Sequence, residues 1–277
     1  MKPLLPLMTA CSSARAIDTV HCAARRLLRG VLPGAALVAA SMAVAGPGEL
    51  TVLGLAPLED ALGAVVAAYE RDTGRRVVLS YTTPSWLAAK LKGAEHPDIV
   101  VLDSATLDAL EAGGHTAAGS RAALGRVGLG VAVRQGAALP DVSTPAAFRQ
   151  ALLGAGSIAY LDPADDAGGR QVADVVAGLG LTDALQPKTR LGTGRSALAP
   201  VALGAVDLGL YPLNRIVATQ GVQSGGPLPA QLQRWTRYDA ALTDDAPNVG
   251  EARELLRYLT GDAARAGFAL KGFQPSP

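Results

Sequence analysis

Four short segments hold the residues best placed to do chemistry: Ala56-Pro57, Thr82-Thr83-Pro84-Ser85, Ala167-Gly168-Gly169 and Gly192-Thr193-Gly194. Each is built from small or hydroxyl residues and stands just before a stretch with helical periodicity. Free backbone N–H groups and the helix dipole at such starts favour an anion. Small residues let an oxyanion reach the backbone, and hydroxyls add donors without placing a full charge in the site. One such loop is commonly a plain cap, but four of them at the expected ends of α/β strands point to anion binding. Catalytic constellations are thin. His96 and His115 read as solvated loop residues, and no H-x-x-x-H, G-x-S-x-G or P-loop spacing occurs. Gly192-Thr193-Gly194 lacks the third glycine of a dinucleotide fingerprint. Asp162, Asp165, Asp166 and Asp174 gather in one region, and a solvated surface loop explains them more simply than paired acid–base carboxylates.

The elements that must carry these loops alternate strand and helix. Leu50, Val52 and Leu53 make a strand. Leu58, Ala61, Leu62, Val65, Val66 and Tyr69 then fall on one helical face, which Gly74 ends. Val77 to Leu79 and Ile99 to Leu102 are further strands, the second opened by Pro97-Asp98 and closed on Asp103-Ser104, where a helix can start. A short run, apolar throughout, suits a buried parallel strand whose C-terminal end faces a ligand. Val127 to Val133 is an apolar strand placed where the chain crosses into a second lobe. That lobe would hold helices over 144–153, 169–179 and 196–203 with strands over 157–161 and 208–211. A Gly- and Pro-rich loop, Gly221 to Pro229, leads to the returning strand Tyr238 to Leu242 and two closing helices. This alternation predicts an α/β chain of two lobes, each a mainly parallel sheet flanked by helices, with the ligand cleft between them. The divisions expected are 1–45 for a leader, 46–128 plus 225–277 for the first lobe, and 129–224 for the second.

The leader is read from Arg25, Arg26 and Arg29, the apolar stretch Val31 to Val44, and an A-x-A site at Ala43-Val44-Ala45. Both cysteines, Cys11 and Cys22, fall inside it, so the mature chain would have no thiol for a disulfide, a nucleophile or a metal. A secreted, periplasmic location follows. Charged residues are 18% of the 277-residue chain and the formal charge is +1, which gives no footprint for nucleic acid. No cofactor and no resident metal are expected, and the chain is expected to be a monomeric binding protein rather than an enzyme.

Order and spacing of seven landmarks carry a resemblance. They are APLEDALGAVVAAYERDTG (Ala56 to Gly74), SYTTPSWLAAKL (Ser80 to Leu91), PDIVVLDSA (Pro97 to Ala105), DPADDAGGR (Asp162 to Arg170), GTGRSAL (Gly192 to Leu198), LGLYPLNR (Leu208 to Arg215) and KGF (Lys271 to Phe273). With them the chain resembles the periplasmic molybdate-binding family, type II solute-binding proteins of ABC importers. The resemblance implies a tetrahedral oxyanion, molybdate or tungstate, as ligand and a membrane permease as partner. It also implies a site of one hydroxyl from each first-lobe loop, two second-lobe amides and a tyrosine phenol. Carried over, the amides fall on Gly168 and Gly194, the phenol on Tyr211, and the second-loop hydroxyl on Thr83 or Ser85. The first loop departs from the pattern, because Pro57 replaces a serine and offers neither hydroxyl nor N–H. A lost hydrogen bond to a charged ligand costs roughly 1.5–3 kcal/mol. Asp165 and Asp166 add repulsion: a carboxylate ~8 Å from a dianion opposes it by roughly 4 kcal/mol at an effective dielectric of ~20. Those terms leave a different small anion or an organic solute as the alternative cargo, with a secreted hydrolase behind it. Trp86 has two readings, packing into the core of its helix or lining the mouth of the cleft.

Overall fold

A computed structural model describes residues 49–91 and 96–276. The leader expected over residues 1–45 lies outside them. In chain order the first elements are β1 (Leu50–Leu55), α1 (Glu59–Thr73), β2 (Val77–Thr82), α2 (Pro84–Leu91), β3 (Ile99–Asp103), α3 (Ser104–Ala112) and β4 (Ala122–Arg134). There follow α4 (Pro145–Gly154), β5 (Ile158–Leu161), α5 (Ala167–Gly178), α6 (Thr182–Leu185), β6 (Thr189–Gly192), α7 (Ala199–Ala202), β7 (Leu208–Pro212) and α8 (Leu213–Ala218). The last are β8 (Val222–Pro227), β9 (Trp235–Leu242), α9 (Val249–Leu259) and α10 (Asp262–Leu270).

The strands join in the order β2-β1-β3-β9-β4-β7-β5-β6, with β8 also paired to β4. Pairing is parallel within β2-β1-β3 and within β6-β5-β7, and antiparallel where β9, β4 and β8 enter. The long strand β4 belongs to both halves. Its residues up to Gly128 pair with β9, and from Leu129 onward they pair with β7 and β8. The apolar core divides accordingly. In the first half one cluster gathers β1, β3, β9, α1 and α9 around Leu53, Val100 and Leu255; in the second, one cluster gathers β5, β7, α4 and α5 around Phe148, Ile158 and Val176, and another packs around Leu161, Val201 and Ile216.

Local sequence explains the elements that matter. β3 is buried along Ile99, Val100, Val101 and Leu102, because helices cover both of its faces. α1 turns Ala61, Leu62, Val65, Val66 and Tyr69 inward, carries Glu59 and Asp60 in its first turn, and ends on Gly74 at φ 71°. Three expectations are corrected. The Gly221–Pro229 segment, read as a loop, contains β8, an edge strand whose polar and glycine residues show no apolar alternation to announce it. The helix expected over 196–203 divides into a 3-10 turn, Arg195–Leu198, and the single turn α7, whose start is set by Pro200, a residue without an N–H. β6, α6 and α8 were not foreseen; each has six residues or fewer, too short to display a period.

Candidate functional site

In both halves the parallel strands end on the same side. Leu55 pairs with Thr82 and Gly54 with Val101, so the loops after β1, β2 and β3 leave one edge together. Leu161 pairs with Gly192 and Tyr160 with Leu210, so the loops after β5, β6 and β7 likewise leave together. The two edges face each other. Asn214, opening α8 after β7, donates from Nδ2 to the Pro57 carbonyl after β1 at 2.8 Å. Gln171 of α5 reaches Thr236 of β9 at 3.3 Å. The seam between these edges is the place where open α/β sheets take ligands.

At the start of α5, Asp166 is the N-cap. Its Oδ1 accepts from the amides of Gly168 at 2.7 Å and Gly169 at 3.2 Å. Gly169 must be glycine, since a Cβ there would lie 2.2 Å from the Leu161 carbonyl oxygen. Arg215 of α8 reaches the same acid, its Nη2 standing 3.6 Å from Asp166 Oδ2, and its Nη1 donates to the Gly194 carbonyl at 2.9 Å. Gly194 adopts φ 63° and ψ −155°, a conformation essentially restricted to glycine, which turns that carbonyl toward α8. One guanidinium therefore ties together the three second-half loops. Tyr238 of β9, opposite Asp103 of β3, lies within the field of Asp103, Arg215 and Asp166. Burial is the main cause that pushes its phenol well above the ordinary range.

The residues expected to bind are placed as follows. Pro57 is half-buried and its carbonyl is held by Asn214. Thr83 and Ser85 are exposed, and their hydroxyls bond each other at 2.9 Å. Gly168 is buried with its amide on Asp166, whereas Gly194 is exposed. Tyr211 has no exposed surface, its phenol donates to the Ala197 carbonyl at 2.8 Å, and burial raises its pKa to about 12. The picture of Asp166 as part of a solvated loop is corrected: its side chain is 28% exposed and engages two elements. Asp165 and Asp174 are exposed, as that picture has it. Trp86 is 68% exposed on α2 beside Ser85, so the core-packing reading is also corrected. Arg215 and Asn214 stood inside a quoted landmark without a role, because the short helix that presents them gave no periodic signal.

His96 and His115 fall elsewhere. They line a small pocket with Pro97, Thr243, Asp244 and Asp245 where β3 begins, the edge opposite the seam, and His96 Nδ1 pairs with Asp245 Oδ2. No group of three or more His, Cys, Asp or Glu side chains among the described residues is arranged to hold a metal ion.

A two-part sheet joined through one shared strand, β4, with helix starts facing across a seam, defines the class of two-part α/β proteins that close on a small solute. Residues 50–274 match the bacterial extracellular solute-binding protein family, and the chain belongs to it. It is similar to the aconitate isomerase of a Pseudomonas species, 32% identical over 234 residues that cover 82% of this chain and 88% of that protein. It is also similar to the molybdate-binding protein ModA of Escherichia coli (strain K12), 26% identical over 87% of this chain and 95% of that protein. Among solved structures, the periplasmic molybdate-binding protein of Azotobacter vinelandii superposes with a TM-score of 0.67 at 22% identity, over 82% of this chain and all of that one. The fold is that of the type II periplasmic binding proteins. No helix among the described residues is long and apolar enough to cross a membrane.

Proposed function

We propose that this chain is an exported solute-binding protein that closes on a small organic carboxylate and passes it to an ABC-transporter permease. The observation that carries this reading is Arg215, held in the seam by Gly194 and Asp166. A guanidinium is a planar fork of five N–H donors matched to a carboxylate; one of them donates to the Gly194 carbonyl, and Asp166 stands beside it as an ion pair at 3.6 Å rather than a hydrogen bond. The donors suited to a tetrahedral dianion are spent within the chain. The amides of Gly168 and Gly169 serve Asp166, the Tyr211 phenol serves Ala197, and Pro57 has no N–H. Arg215, Thr83, Ser85 and the free side of Gly194 then form the contact set, with Pro57, Gly168 and Tyr211 as walls and braces. Molybdate, which the relatives' names suggest, or the chemically similar tungstate becomes the alternative cargo.

The test is a thermal-shift panel of citrate, malate, succinate and aconitate against molybdate, tungstate and sulfate. A ligand at 100 times its dissociation constant stabilises by ~2.7 kcal/mol, which such a melt resolves. A carboxylate should raise the melting temperature, and Arg215→Gln should weaken its binding by roughly 1.5–3 kcal/mol. A response to molybdate or tungstate alone would return the assignment to an oxyanion.

A second reading rests on the similarity to an aconitate isomerase: the same cleft would turn over a tricarboxylate. Interconverting the isomers of an unsaturated acid by proton shift requires a base to take a proton from the allylic carbon, the double bond to move to that carbon, and the same proton to be given to the far carbon of the original double bond. In this reading Asp166, whose Oδ2 lies 3.6 Å from the fork that would seat a carboxylate, would carry that proton. Proton NMR of cis-aconitate with the protein tests this, with loss of turnover expected in Asp166→Asn.

A further inference from the structure

We infer that Asp166 is the specificity-determining residue of this cleft: a built-in carboxylate that occupies the anion seat at the start of α5 and so shuts out tetrahedral inorganic oxyanions. The inference rests on the reading above only in placing the ligand in the seam.

The seat itself is complete. Two successive amides, those of Gly168 and Gly169, converge on one oxygen at 2.7 and 3.2 Å, at the positive end of a twelve-residue helix. A cation, Arg215, stands on its other side. Two converging amides, a helix start and a guanidinium are what a sulfate-like ion would be offered. Here a side chain of the same chain holds them, at an effective concentration that a dissolved ion at millimolar levels does not match. An oxyanion approaching the seat must displace that carboxylate from both amides or lie against its charge.

A separate observation points the same way. Asn214 is 6% exposed, and its Oδ1 has no hydrogen-bond partner. Its orientation is not free. The Pro57 carbonyl can only accept, so the amide must turn Nδ2 toward it and leave Oδ1 as an acceptor at the seam. A molybdate or sulfate dianion has no proton to offer such an atom. An organic acid can bring one, on a hydroxyl or on a carboxyl that keeps its proton. The seam thus sets two acceptors, Asp166 Oδ2 and Asn214 Oδ1, beside the Arg215 donors, and a ligand able both to accept and to donate suits it.

The experiment compares wild type, Asp166→Gly and Asp166→Asn by calorimetry and thermal shift with sulfate and molybdate, alongside the carboxylate panel. Glycine is itself an accepted N-cap residue, so Asp166→Gly should fold while clearing the seat. Asparagine keeps an oxygen on the amides and removes only the charge. The expected result is no response of wild type to either oxyanion, a saturable response of Asp166→Gly at least roughly tenfold tighter, and an intermediate gain for Asp166→Asn. If a folded Asp166→Gly binds sulfate and molybdate no better than wild type, or if wild type binds them equally well, the inference fails. Should Asp166→Gly not fold, the absence of any gain in Asp166→Asn overturns it in the same way. The outcome for carboxylates on wild type is a separate arm, so failure of the proposed cargo is not confused with failure of Asp166 as the filter.

Discussion

Where β3 begins, Asp98 is wholly buried, and its carboxylate takes the Thr51 amide and hydroxyl, the Asn248 amide and the Asn248 side chain. At the opposite edge Asp166 spends one oxygen on its own helix and leaves the other 3.6 Å from a guanidinium, 28% exposed. Both follow the same sequence habit, an aspartate in a turn beside a buried strand. Asp98 is saturated by neighbours within one half of the sheet, so it fastens β1, β3 and the start of α9. Asp166 is incompletely satisfied, by partners on different loops. Saturation marks the structural acid, and an open valence beside a cation marks the functional one.

The largest effect should follow from breaking the saturated acid. Asp98→Ala orphans the Thr51 and Asn248 amides in the interior, each such loss costing about 1–3 kcal/mol. We expect a total destabilisation of roughly 3–5 kcal/mol in urea melts, with no change in ligand preference in whatever fraction folds. A change in ligand preference would show that the two edges are coupled.

The next effect concerns pH. Burial raises the Tyr211 phenol to about 12, above the ordinary value of 10. A group whose folded pKa is raised contributes its stability fully below the unfolded value and loses it as pH rises through the folded one. Stability should therefore fall between about pH 10 and 12, by roughly 2–3 kcal/mol from this phenol. Tyr238, raised mainly by burial, adds to the same arm. Tyr211→Phe should remove its share of the alkaline loss while costing about 0.5–1.5 kcal/mol at neutral pH for the bond to Ala197. If Tyr211→Phe leaves the alkaline melt unchanged, the phenol is not kept from solvent as its burial implies.

Most of the frame was legible in the sequence, because α1, β3 and the strand–helix alternation express burial directly as period and run length. The two ends of β3 were visible in Pro97-Asp98 and Asp103-Ser104. What stayed hidden depended on pairing across the chain. β8 is a strand because β4 offers it an edge, not because VQSGGP has a strand pattern. The four loops were found at the right strand ends, yet their donors were counted as available. That Gly168 serves Asp166 and that Tyr211 serves Ala197 are contacts between a loop and its surroundings, which spacing alone does not reveal. Arg215 escaped notice because α8 is only six residues long.

The smallest stability effects give the sharpest form of the comparison, since Asp103 and Asp166 are both N-caps beyond strand ends, on the two edges that face each other across the seam. Asp103 gives its oxygens to the amide and the hydroxyl of Thr106, at 3.0 and 2.7 Å, both within its own helix. Asp103→Ala should cost about 0.5–2 kcal/mol, the ordinary loss of a cap. Asp166→Gly should cost only a few tenths of a kcal/mol, because glycine caps nearly as well and the bridge to Arg215 is partly exposed. The ligand profile should respond in the opposite order, unchanged in Asp103→Ala and altered in Asp166→Gly. Equilibrium melts paired with a ligand panel on the same two proteins measure both. If Asp103→Ala shifted the ligand profile as much as Asp166→Gly, partial satisfaction of a cap would not distinguish a site from a support. The role assigned to the Arg215 contact would then have to be given up.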